Sequence, residues 1–361
     1  MDDSKQDDST VLAFVDKWYP VLAAAVLALA LFNLTFRLGS EFVTEWDELL
    51  YGQTAWEILS RGSWLGTTFY GQLDYYNTKP PLLVWLIALS FKAFGANLVS
   101  LRLASVVSAW LTVALTQHWT NRCFGRLPAL LAGLTLATTF GFVYVHSGRA
   151  AATDALFTLL MVLTVMVTWS QIEHPMRRVW LGPILAAGFL LRGTAVLFLL
   201  AFVATAFVWI GRTRKSALPT MAAAVAFLVP VAAWVIARYR FDGVAFLGPM
   251  VMYDFVARTL HPIEDHPGRW YYYLKIFQQH HYDWLFGGVV AILLTPASVW
   301  SARLNHWRRP ATSSVLLAVW VVVSLAVPMA MQTKVPWYLK DRKSTRLNSS
   351  HVSESRMPSS A

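Results

Sequence analysis

Charged residues are sparse in this chain, so those that sit in apolar surroundings invite a chemical explanation. Asp47 and Glu48 adjoin in EFVTEWDELLYGQTAWEILSRGSW, and Lys79 precedes two prolines in YYNTKPPLLVW. Arg149 and Asp154 lie five apart in SGRAAATDALF, and Arg192 interrupts GFLLRGTAVLF. Carboxylates can act as a general base or hold a metal, while Lys and Arg bind phosphate strongly when partly desolvated. A site with both, beside lipid, suits an amphiphilic substrate with a phosphate headgroup and a hydrocarbon tail. Plainer uses exist for each. The acid pair can stabilise a helix first turn, Lys79 can snorkel, Pro80 and Pro81 can start a helix, and Arg149 with Asp154 can form a local ion pair. An arginine alone in an apolar hairpin is harder to assign to packing. His261, His266, His280 and His281 lack ligand spacing and read as solvated.

The elements that must position these groups follow from composition. Of 361 residues, 56% are hydrophobic and 14% charged. Blocks long enough to cross a roughly 30 Å hydrocarbon core recur along the chain, and long Leu/Ala/Val runs such as LPALLAGLTLATTF do not alternate as barrel strands do. An all-α polytopic membrane protein is expected. The apolar blocks are Pro20–Phe36, Pro80–Phe94, Leu101–Trp119, Leu127–Val145, Asp154–Trp169, Val179–Leu191, Thr194–Ile210, Leu218–Ile236, Trp284–Trp300 and Ser313–Met331.

Basic clusters orient them. Cytoplasmic loops collect Lys and Arg, and the candidates are Arg122 with Arg126, Arg177 with Arg178, Arg212 with Arg214 and Lys215, and Arg303 with Arg308 and Arg309. If every block spans, the first cluster falls opposite the rest. If Pro80–Phe94 lies along the interface or dips in and out, all four share one side; this block is short, begins with prolines and contains Lys92, as suits an interfacial helix. About nine spans, an inside N-terminus and one juxtamembrane helix are therefore expected. That parity gathers Asp47, Glu48, Lys79, Arg149, Asp154, Arg192 and the segment Ala237 to Asp283 on the outer face.

The start MDDSKQDDST lacks the cationic flank of a cleavable signal, so the first block is expected to be retained. A lone Cys123 makes no internal disulfide. From Asp341 onward, DRKSTRLNSSHVSESRMPSSA abandons the apolar pattern and resembles translated sequencing adapter; residues 341–361 are expected to be non-native and 1–340 to form one transmembrane domain. That tail holds Arg342, Lys343, Arg346 and Arg356 against Asp341 and Glu354, so the formal charge of +10 falls by two without it. The remaining charge sits in short loops, which excludes a nucleic-acid partner.

Several of these stretches occur together in a known family. WDELLYGQTAWEILSRGSW, then YYNTKPPLLVWLIALSFKAFGANLVSLRLASVVSAWLTVAL, then SGRAAATDALFTLLMVL resemble the membrane-embedded C-type (GT-C) glycosyltransferases of the aminoarabinose transferase and protein O-mannosyltransferase group. In that group a DE pair opens the first outer loop, KPPL or HPPL follows, RL starts the next span and R-x4-D closes a later turn. The resemblance covers roughly Asp47 to Leu200, with YYYLKIF (Tyr271 to Phe277) and KVPWYL (Lys334 to Leu339) as later matches. It implies a sugar moved from a polyprenyl-phosphate donor to an acceptor outside the bacterial cytoplasmic membrane, with inversion at the anomeric carbon. Asp47 would be the catalytic carboxylate, supported by Glu48; Lys79, Arg149 and Arg192 would bind the donor phosphate; and Asp154 would orient Arg149 or contact the sugar.

Departures from the pattern are also visible. An acid that precedes the KPP lysine in aminoarabinose transferases, and helps bind a metal, is replaced by Thr78 after Asn77. A divalent metal ion stays open as cofactor, with His266 in EDHPGRWYYY as its weak candidate ligand. The family's lysine in a TKG-like turn is Arg192 here, which keeps charge and changes geometry. The resemblance also implies further spans, and often a soluble outer domain, beyond Lys340. Lipid A, another glycolipid, a polysaccharide or a protein could be the acceptor. The rival reading, a flippase or transporter of lipid-linked saccharides, predicts paired halves and charges at mid-bilayer; no repeat is visible and the charges fall at span ends.

Overall fold

The computed structural model describes residues 3–40, 43, 46–144, 146–210, 217–261, 269, 271–273, 275 and 308–331. It is helical, apart from a two-stranded hairpin in the first loop. The helices are α1 (Asp3–Thr35), α2 (Trp46–Arg61), α3 (Leu82–Phe94), α4 (Leu98–Phe124), α5 (Arg126–Thr138), α6 (Phe140–Val143), α7 (Thr153–Ser170), α8 (Leu181–Arg192), α9 (Val196–Ile210), α10 (Ala217–Asp242) and α11 (Leu247–Val251), followed by a last helix, Arg308–Ala330.

Six stretches among the described residues are long and apolar enough to cross a membrane: Leu12–Thr35, Leu98–Phe124, Thr153–Ser170, Pro175–Val208, Ala217–Asp242 and Ser313–Ala330. The chain is a multi-pass membrane protein. Pro175–Val208 is not one rod. Gly193, at φ 55°, reverses the chain between α8 and α9, and the Arg178 guanidinium near the start of α8 lies 5.0 Å from the Phe207 ring near the end of α9. The block expected to be continuous over Leu127–Val145 breaks at Thr139, whose extended backbone separates α5 from α6. The expected span Trp284–Trp300, and the clusters at Arg212 to Lys215 and at Arg303, lie outside the described residues.

Contacts at the two ends of the bundle fix the path. At one end Arg126 donates to the Asp16 carbonyl (2.7 Å), joining the start of α5 to α1. Arg178 there reaches Gln171 at the end of α7 (2.7 Å) and Thr220 at the start of α10 (2.6 Å). At the other end Arg102 of α4 donates to the Leu38 carbonyl just beyond α1 (2.7 Å). Since α1 finishes and α4 starts at the same end, everything between them leaves and returns on one side. Helix α3 therefore does not cross; its 13 residues lie beside α2 and the start of α4, as the charge parity required.

Local sequence sets these boundaries. Asn97 caps α4, its Oδ1 accepting from the Val99 and Ser100 amides (3.0 Å each) while Ser100 Oγ accepts from the Asn97 amide (3.1 Å); this reciprocal box fixes the first turn, and Arg102 follows in the next. In the first loop, Thr68–Phe69 pairs with Gln72–Leu73, and the Glu57 carboxylate accepts the Gly71 amide at the turn (3.2 and 3.1 Å). Trp85 of α3 donates to the Trp64 carbonyl (2.7 Å), and Arg238 of α10 to that of Leu65 (2.6 Å). A buried apolar cluster of Trp234, Phe246 and Met250 packs against Leu65, Tyr75 and Trp85 beneath this loop.

Candidate active site

Asp47 stands in the first turn of α2, and Tyr51 follows four residues later on the same face. The Lys79 ammonium lies between them, 3.0 Å from Asp47 Oδ2 and donating to the Tyr51 hydroxyl at 2.7 Å. The loop before Lys79 is prefolded: Asp74 Oδ1 accepts the amides of Tyr76 (2.8 Å) and Asn77 (3.3 Å), and Asn77 Oδ1 accepts that of Lys79 (3.3 Å). Pro80 then packs against Gly193, where even a Cβ would sit 3.4 Å from the proline ring. That contact brings Lys79 beside Arg192, two positions far apart in sequence. Arg192 closes α8 and pairs with Asp154 in the first turn of α7 at 3.1 Å.

The charges act on one another. Burial resists ionisation of Asp47, but the Lys79 charge and hydrogen bond, with lesser help from His146 and Arg192, hold its carboxyl below the usual value. Burial pushes the Tyr51 phenol up to about 12. Burial also opposes the Lys79 charge, and Tyr51 and Asp47 more than reverse it, so the ammonium persists above its ordinary range. The pair is therefore ionised throughout neutral pH. An ammonium has three donors; two face Asp47 and Tyr51, leaving one for a ligand oxygen.

Two expected members are placed elsewhere, and both readings need correction. Glu48, read as supporting Asp47 in catalysis, points the other way and is buried: it accepts from Arg102 Nε (2.7 Å), Arg102 Nη2 (2.9 Å) and the Ala151 amide (3.0 Å). Successive side chains on a helix diverge by about 100°, so Asp47 and Glu48 cannot share a target. Arg149, read as a phosphate ligand that Asp154 would orient, is buried too; it donates to the Asn33 carbonyl of α1 (2.8 Å) and stacks near Tyr144. Asp154 is turned to Arg192 instead, because Thr153 already belongs to α7 whereas Arg149 lies in the preceding turn. The structure thus brings together Asp47, Lys79, Arg192 and Asp154, with Tyr51, and uses Glu48 and Arg149 as struts between α1, α2, α4 and the turn before α7.

His266 lies outside the described residues. Among the described residues no three His, Cys, Asp or Glu side chains gather as metal ligands, and Asn77 and Thr78 offer only neutral oxygens ahead of Lys79. Sequence reasoning also passed over Tyr51, Arg102 and His146. Arg102, in SLRLAS, is the residue of the RL pair, and its isolation in an apolar helix was the available signal.

Comparison with known proteins bears on the fold and the family likeness. The family described as dolichyl-phosphate-mannose-protein mannosyltransferase matches residues 78–236. An undecaprenyl phosphate-alpha-4-amino-4-deoxy-L-arabinose arabinosyl transferase of Pseudomonas savastanoi pv. phaseolicola is 28% identical over 321 residues, covering 87% of this chain and 58% of its own length. The fold is that of the C-type glycosyltransferases, and the sequence is similar to theirs. A homologue of the same name from Pseudomonas aeruginosa is 29% identical over 300 residues, covering 81% of this chain and 52% of its own. Among solved structures, ArnT from Cupriavidus metallidurans bound to undecaprenyl phosphate superposes with a TM-score of 0.65 at 16% identity, over 90% of this chain and 57% of that one; its apo form gives 0.64 at 18%. The chain spans about half the length of the relatives it matches.

Proposed function

We propose that this C-type protein transfers a sugar from a polyprenyl-phosphate donor to a lipid, glycan or protein acceptor at the outer face of the bacterial cytoplasmic membrane, with residues 1–340 as its transmembrane domain. The observation that carries the reading is the meeting of the Lys79–Asp47 pair with the Arg192–Asp154 pair across the contact of Pro80 with Gly193, at the end of the bundle where α4 and α7 begin. Two cations held by helix ends and a proline contact are pre-positioned for the charge that develops on a leaving phosphate, which is where electrostatic stabilisation counts most. In this reading Lys79 and Arg192 bind the donor phosphate, Asp154 orients Arg192, and Asp47 orients the acceptor group. Glu48 and Arg149 hold the frame. The relatives' names support an undecaprenyl-phosphate donor carrying an amino sugar, and the basic pairs Arg122 with Arg126 and Arg177 with Arg178, in the short connections of the opposite end, support placement of the site outside.

A flippase would want its charges at mid-bilayer, whereas these sit at helix ends. The test supplies the membrane-reconstituted chain with a labelled polyprenyl-phosphate sugar and candidate acceptors. Transfer that is lost in Asp47→Asn and in Lys79→Met supports the proposal; sugar translocated across the bilayer without a new glycosidic bond overturns it.

A further inference from the structure

The first loop is gripped from two sides over three consecutive residues. Trp85 of α3 donates to the Trp64 carbonyl at 2.7 Å, and Arg238 near the end of α10 donates through Nη1 to the Leu65 carbonyl at 2.6 Å. Gly66 then lies so close to the Phe241 ring of α10 that a Cβ there would stand 2.6 Å from it. Arg238 is only 1% exposed. Its other donors are fixed as well: Nε and Nη2 engage the two oxygens of Asp242 (3.1 and 2.6 Å), and the guanidinium lies over the Phe246 ring, 4.2 Å from its centre. A buried ion pair adds little net stability over apolar packing, and its best-attested use is to hold one register against others. The register at stake here is the seat of the loop on α10.

The same end of α10 reaches both halves of the charged centre. From Gly66 the chain enters the hairpin and returns at Asp74, whose turn leads through Asn77 to the Lys79 backbone. A turn beyond Asp242, Phe246 and Met250 cluster with Trp234. Met250 also lies against Gly193, where a Cβ would meet its sulfur at 3.3 Å and the Pro80 ring at 3.4 Å. Gly193 follows Arg192 and Pro80 follows Lys79, so a shift of the loop on α10 is felt where the two cations meet. We propose that Arg238, held by Asp242, is a positioning residue: by seating the first loop on α10 it sets the separation of Lys79 from Arg192, and with it the fit of one phosphate between them. This rests on the reading of those two cations as ligands of the donor phosphate. Arg238 touches no reacting atom in this scheme and acts through the Leu65 carbonyl.

The experiment measures binding of polyprenyl phosphate to the full chain in detergent, together with the thermal midpoint. Arg238→Met alone leaves the Asp242 charge buried and uncompensated, so the informative change is Arg238→Met with Asp242→Leu, which removes both charges and the tie to Leu65. Gly66→Ala displaces the loop from Phe241 with the ion pair intact. Both should bind polyprenyl phosphate about 10-fold or more weakly than wild type, the scale of one hydrogen bond to a charged group. Each is then combined with Lys79→Met. That change should weaken binding about 10-fold or more in the wild-type background and about 3-fold or less in either variant, because an ammonium already displaced has less to lose. A brace that serves stability alone would lower the midpoint and leave the phosphate affinity of folded protein, and the Lys79→Met factor, the same in every background. That result overturns the assignment and leaves the donor-site reading standing, and Gly66→Ala decides it where the double variant does not fold. Wild-type binding that Lys79→Met leaves unchanged overturns the donor-site reading itself, and the positioning role with it.

Discussion

Replacing Glu48 by glutamine removes charge from a carboxylate that is almost wholly enclosed, with side-chain exposures of 2% for Glu48 and 3% for Arg102. The volume survives, but three hydrogen bonds to an anion become at most two to a neutral carbonyl, and the new amide turns donors toward a guanidinium. Breaking one partner of a buried pair costs about 3–5 kcal/mol because the other charge is left uncompensated. Arg102→Met should cost a similar amount. The double variant Glu48→Met with Arg102→Met strands neither charge of this pair and leaves the Ala151 amide and the Leu38 carbonyl without these partners, at about 1–3 kcal/mol each, so it should cost less than Glu48→Met and Arg102→Met measured singly and summed. Intrinsic fluorescence from 17 Trp during thermal unfolding in detergent supplies the signal. The single variants should lower the midpoint by on the order of 10 °C at about 2–4 °C per kcal/mol. Single variants within about 0.5 kcal/mol of wild type, or strict additivity in the cycle, would refute the claim that Glu48 braces the site.

Further expectations concern other contacts. Asp47→Asn should cut transfer by about 10²-fold or more and leave the thermal midpoint within a few degrees, in contrast to Glu48→Gln, as parallel activity and unfolding assays would reveal. Tyr51→Phe deletes the acceptor for the Lys79 ammonium and should weaken phosphate binding by a factor of roughly 5 to 10, the equivalent of one hydrogen bond at about 1–1.5 kcal/mol, read in a titration with polyprenyl phosphate. The Asp47 pKa is depressed, so its contribution to stability is present above the unfolded value near 3.9 and fades as pH falls through the lower folded one; the Lys79 pKa is raised, so its contribution holds below about 10.5 and fades only as pH rises further. The midpoint share due to this pair should accordingly be flat from about pH 5 to 9, measured as wild type minus Lys79→Met. Gly182→Ala, at the end remote from the site, puts a methyl group against the Ala223 carbonyl and Ala226 of α10 and should cost about 1–3 kcal/mol as overpacking without altering donor binding.

How far the sequence revealed this site depends on the residue. Asp47, Lys79, Asp154 and Arg192 stood out because ionisable groups are rare in such apolar company, and parity of the basic clusters was enough to place them at one end. Their partners were less legible. Five-residue spacing suggested Arg149 with Asp154, but the turn before α7 aims Arg149 back at α1 and frees Asp154 for the end of α8, a choice made by packing between helices distant in the chain. Adjacency made Asp47 and Glu48 look like one functional pair, although helical rotation separates their roles. Tyr51 and His146 have ordinary compositions around them and gain meaning only when α2 meets the first loop and the turn after α6. Arg192, interrupting an apolar hairpin, marked the α8–α9 reversal, while nothing in LPALLAGLTLATTFGFVYV announced the break at Thr139.

The return of α3 to the side it left has a consequence for how such proteins diversify. The segment from Gly39 to Asn97 behaves as a cassette inserted at one face of the bilayer: it can be lengthened, trimmed or exchanged between homologues without inverting any later helix. Half of the charged centre, Asp47 and Lys79, travels in that cassette, and the other half, Asp154 and Arg192, stays in the fixed scaffold. Selectivity can therefore drift in one part while the insertion pathway of the remainder is conserved.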